Sequence, residues 1–202
     1  MPSSLSGPFI SRRFRPFHRY FSEPTVDAAA AGGFYFSCRP WATGWMHVVA
    51  GDRSGTVARH VSYVGADPLG SLATALSELW EGASRSGCVW ELEPAGLRWT
   101  LYRSGCDVHV SVSEIPDTEE AGAHWTGTYS LKALSESVAE VGTNLFTVLG
   151  HNGYWAWWKN PFPLAALNRL RGHLPCADGT LASLPESYPP PRPDQIITAQ
   201  PR

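Results

Sequence analysis

The sequence predicts an α+β fold, and three observations carry that prediction. Short stretches of alternating apolar and polar residues are separated by Gly- and Pro-containing turns, the pattern of antiparallel strands. After Asp67-Pro68 the period changes to the three-and-four spacing of an amphipathic helix. A second helical stripe then follows the strands instead of alternating with them, which argues against a parallel sheet with crossover helices. The expected architecture is one antiparallel sheet of five to six strands, a hairpin, a helix and a three-strand meander, with two to three helices packed on one face.

In chain order, Gly33–Cys38 is an aromatic-rich strand. Trp45–Val49 follows as a short apolar run, Asp52–Gly55 supplies turn chemistry, and Thr56–Tyr63 returns. The period of two places Val57, Arg59, Val61 and Tyr63 on one face of that return strand. Asp67 offers a carboxylate to the unpaired N–H groups of a helix start, and Pro68 suits the first helical position. Leu69, Leu72, Ala73, Leu76, Leu79 and Trp80 then define a helix over 68–82, stopped near Gly82. Strands are expected at Cys88–Glu93, Leu97–Tyr102 and Asp107–Ser113, with Leu97, Trp99 and Leu101, then Val108, Val110 and Val112, turned inward. The acidic stretch 116–120 reads as an exposed loop, and His124–Tyr129 as a last edge strand. Ser130 caps a second helix with the stripe Leu131, Leu134, Val138, Val141 and Leu145. Gly142 weakens its middle, and Gly150–Gly153 ends it. A short third helix from Pro163 to Leu174 presents Leu164, Leu167 and Leu170.

Composition bounds the function. The 202 residues are 43% hydrophobic and 17% charged, enough apolar content for a core, and no run of 18 apolar residues suggests a transmembrane helix. The net charge of −2 is uneven. Residues 1–27 carry Arg12, Arg13, Arg15 and Arg19 against Glu23 and Asp27, so the basic head leaves an acidic remainder. The domain is therefore expected at 33–174. Ahead of it, 1–32 is a disordered or targeting-like basic segment, and 175–202 is a disordered Pro-rich tail whose Tyr188–Asp194 run could dock in an aromatic groove. Four scattered cysteines, Cys38, Cys88, Cys106 and Cys176, with no C-x-x-C pair and no secretory signal, read as reduced, mostly buried thiols. A cytoplasmic location follows, or an organellar one if residues 1–22 act as a transit peptide. Nucleic acid is a poor partner for an acidic folded part, since the one basic-aromatic cluster, Arg12 to Phe21, lies in the head.

Candidate chemistry concentrates in 151–162. Tyr154, Trp155, Trp157, Trp158 and Phe162 surround Lys159, and aromatic planes with a cation suit either a core or a partner surface. His109 projects beside Ser111 and Ser113 opposite the valines, and His151 opens the aromatic segment; these are the two candidate catalytic bases. Glu91 and Glu93 could serve acid/base chemistry, or pair across the hairpin with Arg98. His47, His60 and His109 could hold a metal only if three strands converge. The motifs of serine hydrolases, zinc proteases, dinucleotide folds and P-loops are all missing, so neither a cofactor nor a metal is expected.

A resemblance adds to this reading. The Pro-started helix Leu69-x-x-Leu72-x-x-x-Leu76-x-x-Leu79-Trp80, the run Trp90-Glu-Leu-Glu-Pro94 and the valine strand 108–112 look like small actinobacterial α+β proteins, some of the immunity-protein type. The likeness covers under a quarter of the chain and implies a protein that binds and blocks a partner. The expectation is thus a non-enzymatic binding protein for a protein partner. The alternatives are a small enzyme with a pocket under the aromatic segment and a His base, or a structural subunit of an organellar complex.

Overall fold

A computed structural model of the chain describes residues 33–115, 123–174 and 184. The basic head, the acidic loop, Cys176 and nearly all of the Pro-rich tail lie outside these residues. The architecture is α+β, but its strands form two antiparallel sheets instead of one. The first has three strands in sequence order: β1 (Tyr35–Ala42), β2 (Trp45–Gly51) and β3 (Thr56–Ser62). The second is a four-strand meander: β4 (Arg85–Glu91), β5 (Gly96–Ser104), β6 (Asp107–Ile115) and β7 (Ala123–Ser130). Helix α1 (Pro68–Trp80) is inserted between the two sheets in sequence. Helices α2 (Leu131–Trp158) and α3 (Leu164–Gly172) follow the meander.

Among the described residues no ladder of backbone hydrogen bonds joins the two sheets, which are bridged by side chains instead. Arg59 of β3 donates to Glu114 of β6, Ser62 donates to the Glu93 carboxylate, and Tyr129 of β7 donates to Asp52 in the β2–β3 turn. The inner faces share one apolar cluster: Phe36 packs on Trp90 and Trp99, with ring centroids 6.2 and 6.4 Å apart. The helices divide between the sheets, α1 against β4 and α2 against β1.

Alternation sets the inward faces as expected. Leu97, Trp99, Leu101, Val108, Val110 and Val112 are all buried, while His109 is exposed and Ser111 and Ser113 are half-buried. In β3, Val57 and Val61 are buried, Arg59 leaves the core for Glu114, and Tyr63 falls past the strand end and is exposed. The expected pairing of Glu91 and Glu93 with Arg98 does not form. Glu91 ends β4 opposite Gly96, Glu93 turns to Ser62, and Arg98 stands between Val89 and Ser113.

Asp67 caps α1, its Oδ1 accepting from the Gly70 N–H at 2.7 Å. Ser130 likewise caps α2 by accepting from the Ala133 N–H at 3.1 Å. Gly142 also has a packing role in α2. A Cβ there would meet Leu167 at 2.6 Å, so its bare backbone is what lets α3 pack closely. The first helical stretch does end at Gly150, as expected, where a φ of 58° and a ψ of −174° belong essentially to glycine, but a second helical stretch then runs on to Trp158.

The expected domain boundary is at residue 174. Leu184 is nonetheless buried in the core cluster, its N–H donating to Asn168 Oδ1 at 3.1 Å and its carbonyl accepting from Asn168 Nδ2 at 3.4 Å. Among the described residues no helix is long and apolar enough to cross a membrane.

Candidate functional site

The 151–162 segment is mostly interior. Because it is helical to Trp158, residues 154, 157 and 158 share one side, at the i, i+3, i+4 spacing. Tyr154 and Trp158 are fully buried, Trp157 and Phe162 nearly so, and Trp155 at 47% exposure points away with exposed Lys159. Of the two readings left open by the sequence, core or partner surface, Tyr154, Trp157, Trp158 and Phe162 take the first, so as binding candidates these four are withdrawn. Lys159 closes the helix in a left-handed conformation, its N–H donating to the Trp155 carbonyl at 2.9 Å.

What these aromatics enclose is Asp67. The residue is only partly covered, but its carboxylate is shut in: the Tyr154 hydroxyl donates to Oδ2 at 2.6 Å, and the Gly70 N–H occupies Oδ1. Desolvation raises the Asp67 pKa, against the pull of these hydrogen bonds. Desolvation, then the nearby Asp67 charge, pushes the Tyr154 phenol well up. Cys38 lies in the same interior with its thiol raised by burial, so it is a poor nucleophile. Burial also pushes Cys88 up to about 12, whereas Cys106, contrary to the expectation of mostly buried thiols, is exposed.

Of the two candidate bases, only His109 has a hydroxyl beside it among the described contacts, and that pair is exposed with no third group orienting the imidazole. His109 lies on the outer face of the meander, its Nδ1 3.3 Å from the Thr128 hydroxyl. His151 is held edge-on against Phe146 at 5.1 Å and Phe162 at 6.0 Å. His47 and His60 do meet, but His109 belongs to the other sheet, and no group of three His, Cys, Asp or Glu among the described residues is placed to hold a metal ion.

The meeting of His47 and His60 marks a surface that the sequence reading missed. Register pairs Arg39 of β1 with His47 of β2, and His47 with His60 of β3, in one row across the outer face of the three-stranded sheet. Arg39 Nε donates to His47 Nδ1 at 3.3 Å, and the two imidazoles lie 5.1 Å apart. Trp41, 48% exposed, lies over His60 at 4.5 Å with an interplanar angle of 32°. Desolvation, then the Arg39 charge, lowers the His60 pKa. No residue of β1, β2 or β3 is an Asp or Glu.

The neighbouring sheet end is rigidly built. The Gly44 N–H donates to the Trp157 carbonyl at 2.9 Å, the Tyr63 N–H donates to Gly44 O at 2.9 Å, and Asn160 Nδ2 donates to Tyr63 O at 3.1 Å. Tyr63 and Val64, at 44% and 47% exposure, are thereby presented beside the β1–β2 turn. The signal for this surface was in the sequence as the acid-free composition of 35–51 and 56–62. Ending the first strand at Cys38 left Arg39 and Trp41 off it, so the row was not assembled. No protein-family model, curated protein or solved structure matches the chain.

Proposed function

We propose that the chain is a non-enzymatic binding protein whose ligand is another protein, as the immunity-type resemblance implies, and that its contact surface is the turn end of the three-stranded sheet. The observation that supports this reading is the open stack of Trp41 on His60, with Tyr63 and Val64 exposed at the same end. An exposed Trp is costly to leave in water, and Trp and Tyr are the residues on which interfaces concentrate their energy. All nine Trp of the chain are described, and only Trp41 and Trp155 are exposed. The 151–162 segment supports the surface from behind, through Trp157 and Asn160, while Trp155 and Lys159 are exposed at the helix end.

Quantitative pull-down from native lysate tests the proposal, with the full chain and its Trp41→Ala and Trp155→Ala variants. A stoichiometric protein retained by wild type and lost with Trp41→Ala is the expected result. A protein lost only with Trp155→Ala moves the contact to the helix end. Failure to retain any stoichiometric protein overturns the reading.

A further inference from the structure

Helix α3 carries a seat for a single residue of extended chain. Asn168 presents a carbonyl oxygen and an NH2 group side by side, and both are set against one residue. Oδ1 accepts from the Leu184 N–H at 3.1 Å, and Nδ2 donates to the Leu184 carbonyl at 3.4 Å. This two-bond exchange is how a strand residue pairs with its neighbour in an antiparallel ladder, so the Asn168 amide stands in for a strand edge. The Leu184 side chain enters the core cluster and is 7% exposed. Main-chain bonds of this kind hold a segment whatever its sequence, and the apolar seat selects the side chain.

The domain holds the seat in place without help from its occupant. Asn168 lies between Leu167 and Leu170, both fully buried, on a helix pinned from two sides. Arg169 Nε donates to Glu81, the C-terminal cap of α1, at 2.8 Å, and Arg171 donates to the Thr143 hydroxyl of α2 at 2.5 Å. The bare backbone of Gly142 lets α3 lie close against α2. The occupant is held more lightly. Nine residues, 175–183, separate Leu184 from Leu174, and Leu184 is the one residue described beyond 174. Its anchorage there is one side chain and one amide.

We propose that this seat is a further binding site, which takes an extended, leucine-bearing segment of a protein partner in place of Leu184. The incoming residue needs a backbone N–H, a carbonyl and a Leu-sized apolar side chain. A proline at that point lacks the donor, and a charged residue is costly to bury. A second copy of this chain is the weaker occupant, because its own Leu184 is already seated and exchange replaces like with like. A partner segment gains over the resident one by adding contacts on either side of its leucine. The seat uses none of Trp41, Tyr63 and Val64, so binding here is gained or lost independently of the turn end.

Fluorescence anisotropy with the full chain tests the site. The probes are a fluorescein-labelled peptide copying residues 180–188, its Leu184→Ala counterpart, and a third peptide N-methylated at Leu184 to remove the backbone donor. In the wild-type chain the tethered Leu184 competes at an effective concentration on the order of millimolar, so the first peptide should bind weakly. Leu184→Ala in the full chain removes that competitor and should tighten binding about tenfold or more. Adding Asn168→Ala to that chain should weaken it again about tenfold, and both altered peptides should bind at least about tenfold more weakly than the first. Absence of peptide binding by the Leu184→Ala chain, or equal binding of all three peptides, overturns the proposal.

Hydrogen exchange on the unaltered chain keeps the test open should Leu184→Ala fail to fold. The Leu184 amide is expected to exchange roughly a hundredfold faster than those of Leu167 and Leu170, since the seat empties without unfolding α3. Equal protection of the three would mean that Leu184 leaves only when the domain unfolds, and overturns the proposal. Sedimentation that shows a concentration-dependent dimer abolished by Leu184→Ala would give the seat to a second copy, and so overturns the partner segment as its occupant.

Discussion

Two aromatic regions of this molecule differ in a way that residue counting hides. The 154–162 segment is dense in aromatics, yet Tyr154, Trp157, Trp158 and Phe162 are buried against α1, the first sheet and Phe146. The turn end of the three-stranded sheet has few aromatics in sequence, yet it holds Trp41 and Tyr63 open to solvent. Density along the chain reports how much apolar area must be covered. Exposure depends on which side of a helix or sheet each ring falls, and that is set by the elements packed against it.

The comparison is sharpest in stability. Trp158→Ala should cost about 3–5 kcal/mol, the range for emptying a large aromatic site in a packed core, as read from urea unfolding. A cost below about 1 kcal/mol would mean that the helix end is not part of the core. Next in size is Asp67→Ala, which removes the α1 cap and leaves the buried Tyr154 hydroxyl without its acceptor. About 2–3 kcal/mol is expected, and the double variant with Tyr154→Phe should cost less than the sum of the two single changes. Gly150→Ala should cost about 1–3 kcal/mol, because the break requires a backbone conformation that L side chains rarely adopt. Space is not the obstacle there, since nothing lies within 4 Å of an added Cβ.

Trp41→Ala should change stability by no more than about 0.5 kcal/mol while removing partner binding, the reverse of the Trp158 result. A large loss of stability there would turn the open stack into a structural one. A pH titration adds a smaller effect at the other end of the first sheet. Burial opposes ionisation of Asp52, but hydrogen bonds from Ser54 and Tyr129 outweigh it and hold the pKa down to about 2 from an ordinary 3.8. The folded state thus favours the ionised form. Its stabilising contribution is present above 3.8 and is lost as pH falls towards 2. Asp52→Asn should flatten that part of the acid limb of an unfolding curve. An unchanged limb would remove Asp52 from the link between the sheets.

Much of the fold was legible because local rules wrote it. Asp67-Pro68 announces α1 through capping and proline geometry, the valines of β6 alternate as a half-buried strand must, and Ser130 begins α2. How the two sheets are joined was not legible, since Arg59, Ser62 and Asp52 find Glu114, Glu93 and Tyr129 at sequence separations of 55, 31 and 77. The candidate site was legible only as composition. Its row exists because two successive hairpins bring Arg39, His47 and His60 into register, and a strand ended four residues early, at Cys38 instead of Ala42, breaks that alignment.

By itself, then, the sequence determined the order and identity of the elements, because capping, turn chemistry and period act within a few residues of the chain. It also determined that the β1–β3 strands carry no carboxylate, which is a fact of composition. Only the tertiary structure decided that Gly142 is a packing contact, that a helix resumes after Gly150, and that the tryptophans at 157 and 158 face inward while Trp41 faces out. Burial belongs to pairs of surfaces, and the second surface of each pair comes from a distant part of the chain.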